Sequence, residues 1–430
     1  MKAPVRERVA WGLVAALSSS LIAWIGLGSL GWNDFFNEGS AAMSALIRGD
    51  LAAFFARAPV YGGSLLMRAP FALLSPLWGG GELSLSAMMA LPCLLAGIAL
   101  GLWLIESMRR EGRSARARLL VLLLCTANPI TLLALEIGHP EELLGAVSCV
   151  AAVLLASRGR WAWAGLALGL AVANKQWALL ALPPVLLALP ACRLRCLLLA
   201  GAAAAALTAP FVLFKPLGYA LAAKAVATST GTMFQPWQIW WFFGSQPPAG
   251  VHLTGGARGA RLPPQWISQI SHPLILLAAA PLTIALWMQL RRRAPGARAV
   301  APVGQALLLL ALLLLLRCML DPWDNVYYPL PFVLALLAWE TIDRGRAPVL
   351  AAIASVAVLA NDGWMAFIAT PDDQAAVFIA CTVPLALHLA ARLYLPSRRS
   401  VEALFDRRRL PGSSLKDREL LAQGTEVANA

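Results

Sequence analysis

Long, nearly uncharged apolar runs decide most of what this chain can become. Segments such as 84–105, 194–214 and 375–395 each extend for about 20 residues, the length an α-helix needs to cross a bilayer core. In lipid no water satisfies the backbone, so such runs fold as helices rather than as open strands or loops. Composition agrees. Hydrophobic residues make up 59% of the 430, charged residues only 13%, and the mean hydropathy is +0.69. A soluble domain has about 45–50% apolar and about 25% charged residues. A water-soluble enzyme and a disordered regulator are both excluded. The expected fold is an all-α polytopic membrane protein, a bundle of about 12 transmembrane helices.

The spans are read at 11–30, 84–105, 119–135, 143–157, 161–173, 176–190, 194–214, 273–290, 299–317, 326–341, 347–367 and 375–395. The net charge of +13 would suggest nucleic acid in a soluble protein. Here most of the 35 lysines and arginines fall in alternate connections, including 106–118, 291–298 and everything from Arg392 onward. That asymmetry sets orientation: both termini are expected in the cytosol of a multi-pass plasma-membrane protein, with no nucleic-acid partner. Residues 1–395 form one membrane domain, and 396–430 a basic cytosolic tail with partial disorder. Two long connections then lie outside, 31–83 and 215–272, so chemistry is expected on the outer face. Segment 64–78 carries Arg68 and two prolines and is read as a helix lying in, or dipping from, the outer interface. The seven cysteines contain no CxxC pair, and the four histidines have no ligand spacing, so no metal site is expected.

Candidate chemistry clusters at the outer ends of spans. Asp34 and Glu38 follow span one and share a helical face four residues apart. A carboxylate there can serve as a general base; the alternative is that Asn33 or Asp34 caps the helix start. His139, Glu141 and Glu142 occupy a very short connection. They are read either as groups contacting a sugar or as acids complementing the dipole of the next helix. Lys175 ends a helix of about 13 residues, near 20 Å and too short for a core near 30 Å. A lysine below the surface needs a watery cavity or an anion, or must snorkel outward. Arg317 ends an apolar run before Asp321-Pro-Trp-Asp324, where an Arg–Asp network, a metal site or a structural turn are all open. Trp237, Trp240 and Trp241 read as an interfacial belt, or as stacking surfaces for a sugar or prenyl group. The Gly-rich GGARGAR follows no strand and does not form a nucleotide cradle.

Three of these features, in order, resemble the polytopic GT-C glycosyltransferases, and among them the bacterial glycosyltransferase 87 (DUF2029) family. They are Asp34-Phe35 leading to Leu46-Ile47-Arg48-Gly49-Asp50, Gly138-His139-Pro140-Glu141, and Ala164-Gly165-x3-Gly169 running to Lys175. Family members often have amides where this chain has His139 and Glu141, and an aromatic where it has Asn37 or Glu38. The resemblance implies transfer of a sugar, mannose in characterised members, from a polyprenyl-phosphate donor to a lipid or glycan acceptor of the cell envelope. No cofactor is implied. Asp34 would be the base, and Lys175, Arg68 and Arg317 would meet the departing phosphate. Glu38, His139 and Glu141 would bind substrate. A twelve-span transporter or lipid flippase is the competing reading; an internal six-plus-six repeat, which the sequence lacks, would favour it.

Overall fold

A computed structural model describes residues 5–28, 33–228, 233–248, 260–293, 299–323, 325–344, 347–361, 365 and 369–395. Gly31, Trp32, Arg258, Asp324 and the tail 396–430 lie outside them. Among the described residues the secondary structure is helical, with only two isolated bridges, Phe234 to Arg261 and Ser245 to Leu262.

Helix α1 (Val5–Gly28) exposes Val5, Val9, Leu13, Leu17 and Leu21, one stripe at four-residue spacing, as a lipid-facing helix should. Its other face buries Ala15, Ser19, Ile22 and Gly26. A Cβ at Gly26 would lie 2.9 Å from Leu135 Cβ, so glycine sets how closely α1 meets α8 (Pro129–Ile137). The connection expected as a loop after span one is instead helical. It forms α2 (Asp34–Glu38), α3 (Ser40–Ile47), α4 (Leu51–Arg57) and α5 (Gly62–Ala72). Phe35, Met43, Phe54 and Leu65 give this cap its own apolar core with Met89 and Phe211. Segment 64–78 is helical, α5 first and then a short turn that leaves Leu77 and Trp78 exposed. Helix α5 is wedged against α6 (Glu82–Arg110), α10 (Trp161–Asn174) and α12 (Arg193–Phe214), and Arg68 is 1% exposed.

The centre of the bundle is α9 (Glu141–Ser157) with α15 (Val303–Leu320) and α16 (Pro329–Trp339), the last two buried nearly all round. A helix apolar on every face belongs in such an interior. Helix α10 packs on α12 through its glycines. A Cβ at Gly165 would stand 2.7 Å from the Cys196 carbonyl, and one at Gly169 2.5 Å from that of Ala200. The small-x3-small pattern is thus a close helix contact. The remaining elements are α7 (Ala115–Thr126), α11 (Leu182–Ala188), α13 (Pro216–Thr228), α14 (Gln265–Arg293), α17 (Val349–Leu359) and α18 (Pro371–Tyr394).

Among the described residues seven helical stretches are long and apolar enough to cross a membrane: Val5–Gly28, Glu82–Arg110, Ala115–Ile137, Arg193–Phe214, Gln265–Arg293, Val303–Leu320 and Pro371–Tyr394. Trp161–Asn174, Gln176–Ala188 and Val349–Leu359 are shorter apolar helices. The sequence reading counted shorter apolar runs as crossings too. At about 1.5 Å per residue, a helix of 14 residues such as α10 reaches only about 21 Å. The tryptophans after α13 are packed rather than belted. Trp240 donates to the Leu320 carbonyl at 2.8 Å, and Trp241 to Asp372 at 2.8 Å, with Arg261 stacked 4.9 Å from its ring.

Candidate active site

The site forms where α2, the α8–α9 turn, α5 and the end of α10 converge. Asn33 caps α2: its Oδ1 accepts from the Phe35 amide at 3.0 Å, and its Nδ2 donates to the Glu136 carbonyl at 3.2 Å. Asn33 therefore caps, and the Asp34 carboxylate need not. Helix α8 ends at Gly138 with φ +95°, a left-handed conformation that glycine tolerates, and a Cβ there would collide with Asn33 Oδ1. The next residue, His139, is thereby delivered to Asp34. Its Nε2 lies 3.2 Å from Asp34 Oδ2, and its Nδ1 lies 2.7 Å from Glu141 Oε1.

Glu141, 1% exposed in the first turn of α9, is the hub. It pairs with Arg68 NH1 at 3.1 Å and with Lys175 Nζ at 3.1 Å, and its carbonyl accepts from Asn174 at 2.8 Å. Gly63 makes the convergence possible, since a Cβ there would stand 2.6 Å from the Ala173 carbonyl. Glu142, equally buried, sits 3.8 Å from Lys175 and 3.7 Å from Arg317, and accepts from Trp177 Nε1 at 3.2 Å. The Arg317 guanidinium lies between the rings of Trp177 (5.0 Å) and Tyr328 (4.0 Å), an arrangement in which cation–π attraction offsets part of its burial.

The seven residues expected to bind or act on substrate fall in this one network, in two layers. Asp34 (21% exposed), Lys175 (14%) and the exposed Glu38 reach the surface. Arg68, His139, Glu141 and Arg317 are buried behind them. Arg317 pairs with Glu142, whereas Asp321 accepts from the Trp323 amide at 3.0 Å and lies 3.6 Å from His272. Tyr61 and Tyr327 are additions. The Tyr61 hydroxyl donates to Glu38, its ring lies 4.3 Å from Lys175 Nζ, and the Tyr327 ring is 4.7 Å from that of His139. Tyr61 carries no local sequence signal. Tyr327 stood in a connection already marked by its acids.

Charge in the network balances: Asp34, Glu38, Glu141 and Glu142 against Arg68, Lys175, Arg317 and the imidazole. Burial and Lys175 oppose a charge on His139, but Glu141 and Asp34 outweigh them and push its pKa up to about 9. Asp34, Glu38 and His139 each place an atom within 4.8 Å of the others, a spacing a small cation could use. The fit turns on the imidazole: protonated, it donates from both nitrogens, offers no lone pair and would repel a cation.

A helical membrane bundle with a partly exposed carboxylate paired to an imidazole, backed by buried cations, has the makings of an integral-membrane acid–base enzyme. The chain belongs to glycosyltransferase family 87, whose sequence model matches residues 62–316, more than half of it, and it is therefore a glycosyltransferase. The match covers Arg68, His139, Glu141 and Lys175; Asp34 and Glu38 precede it, and Arg317 follows by one residue. No curated protein and no solved structure matches the chain.

Proposed function

We propose that the protein transfers mannose from a polyprenyl-phosphate donor to a hydroxyl of a lipid or glycan acceptor of the bacterial cell envelope, working on the outer face of the plasma membrane. The observation that carries this reading is the pairing of Asp34 with His139, beside Lys175. Asp34 takes the acceptor hydroxyl proton as that oxygen bonds to the anomeric carbon. The bond from the anomeric carbon to the phosphate oxygen breaks, and polyprenyl phosphate leaves with the electron pair. One displacement inverts the anomeric centre. Lys175, the most accessible cation of the network, meets the developing phosphate charge. Arg68 and Arg317 act from behind, by holding Glu141 and Glu142 in place. Glu38 and Tyr61 line the acceptor side.

A lipid-linked donor is supported by an apolar cavity of about 320 Å³ lined by residues of α15 to α18, including Leu315, Phe332, Val358 and Phe378. Its rim includes Asn325 and Val326, next to the Tyr327 that packs on His139. An outward site suits such a donor, because nucleotide sugars stay in the cytosol. The matching topology has about twelve membrane-inserted segments, the short helices included, with both termini in the cytosol. The test is sugar transfer by purified protein in lipid, with labelled polyprenyl-phosphate-mannose and an envelope-lipid extract. Asp34→Asn is expected to lower the rate by about 10²–10⁴ while remaining folded. Equal transfer by the variant would refute Asp34 as the base.

A further inference from the structure

We propose that Glu141 and His139 together are the positioning device for the base: Glu141 fixes the imidazole as a cation, and the imidazole holds Asp34 ionised and oriented toward the acceptor hydroxyl. This rests on the reading of Asp34 as base, and goes beyond it by removing His139 and Glu141 from the substrate-binding set.

The geometry is a line of three groups, Glu141 Oε1 to Nδ1 at 2.7 Å and Nε2 to Asp34 Oδ2 at 3.2 Å. A neutral imidazole donates from only one nitrogen and would turn a lone pair toward one carboxylate; the imidazolium donates to both. Glu141 cannot swing away, being buried with its carboxylate paired to Arg68 and Lys175, while Asn174 holds its backbone carbonyl. Its burial also keeps it from touching a sugar. The charged and titratable groups around His139 come from every neighbouring element. They are Asp34 and Glu38 of α2, Tyr61 before α5, Arg68 through Glu141, Lys175 after α10, and Tyr327 before α16. The nearest of them, Asp34 and Glu141, are both acids, and the pKa near 9 agrees with the geometry.

Loss of one proton from His139 leaves Nδ1–H on the shorter bond to Glu141 and a lone pair against Asp34 Oδ2. Asp34 must then turn aside or take up a proton, and in either case the base is lost. Transfer should fall as pH rises through about 9. His139→Gln keeps an amide donor for Asp34 but nothing that titrates. It should lower kcat by about tenfold to 10²-fold and abolish the alkaline decline, with KM little changed. Glu141→Gln removes the charge that favours the imidazolium, so the decline should move down toward the ordinary histidine value of about 6.5. Glu141→Asp should restore it in part.

The experiment is kcat and KM against pH for these variants and for Asp34→Asn, with polyprenyl-phosphate-mannose as donor. A parallel NMR titration of carbon-13 histidine in lipid nanodiscs reads the imidazole without any turnover. A histidine resonance titrating near 9, lost in His139→Gln and lowered in Glu141→Gln or Glu141→Asp, is the supporting outcome. An alkaline decline surviving unchanged in His139→Gln, or a resonance unmoved by replacing Glu141, overturns the proposal. Collapse of Asp34→Asn alongside those unchanged profiles would sink this inference alone. Full activity of Asp34→Asn would sink the reading of the base on which it rests.

Discussion

Asn33 accepts the amide that would otherwise draw on Asp34, so the carboxylate of the next residue is left for His139. Single side chains settle comparable questions deeper in the site. Arg317 neutralises a fully buried Glu142, and truncating one partner of such a pair strands the other. Arg317→Met is expected to cost about 3–5 kcal/mol, read as a lowered Tm in detergent, and adding Glu142→Gln should recover much of it. A double variant no more stable than the single one would show that Arg317 acts through its stacking on Trp177 and Tyr328. His139 contributes stability with a definite sign. Its folded pKa lies above the ordinary value of about 6.5, so the contribution is complete below that value and disappears as pH rises through about 9. Tm of the wild type should therefore drop across that window, and the His139→Gln variant should not share the drop. Lys175 and Arg317 were legible because a cation ending an apolar run needs an anion. Their side-chain partners, Glu141 and Glu142, were not legible, since a linear sequence offers nearby Asp321 as readily as an acid on a distant helix.

Elements reach the site through glycines. Gly169 lets α10 lie against the Ala200 carbonyl, and the same helix delivers Lys175. Gly169→Val is expected to cost about 1–3 kcal/mol through overpacking and to depress transfer as Lys175 shifts, which thermal unfolding and an activity assay together would register. Unchanged stability would mean that α12 yields easily at this contact. The Gly165-x3-Gly169 motif was visible in the sequence as a likeness; the structure supplies its physical content. Of the helices in the first long connection, α2 and α5 were legible from the Asp34–Glu38 spacing and from segment 64–78, whereas α3 and α4 are too short to show the periodicity that marks a helix. The apolar runs gave about twelve crossings, of which seven helical stretches among the described residues have the length and composition for one; hydropathy alone does not separate a span from a short helix buried by its neighbours.

For the whole molecule, the apolar cavity of α15 to α18 is lined by Asn325 and Val326, the two residues before the Tyr327 whose ring packs on His139. Filling the cavity with Ala357→Trp should raise KM for long polyprenyl donors and leave a truncated-chain donor nearly unaffected; equal effects on both would argue that the lipid lies elsewhere. The balanced charges have a bearing on how the protein is made. Arg68, Glu141 with Glu142, and Arg317 arrive on α5, α9 and α15, so each of these helices carries charge that the others cancel only once the bundle has assembled. A lone charge deep in a membrane costs at least about 2.5–3.5 kcal/mol. Insertion of any one of these helices is therefore provisional until the others dock. The paired side chains thus act as a completeness check on biogenesis, and cells expressing single-charge variants should lose the protein to degradation.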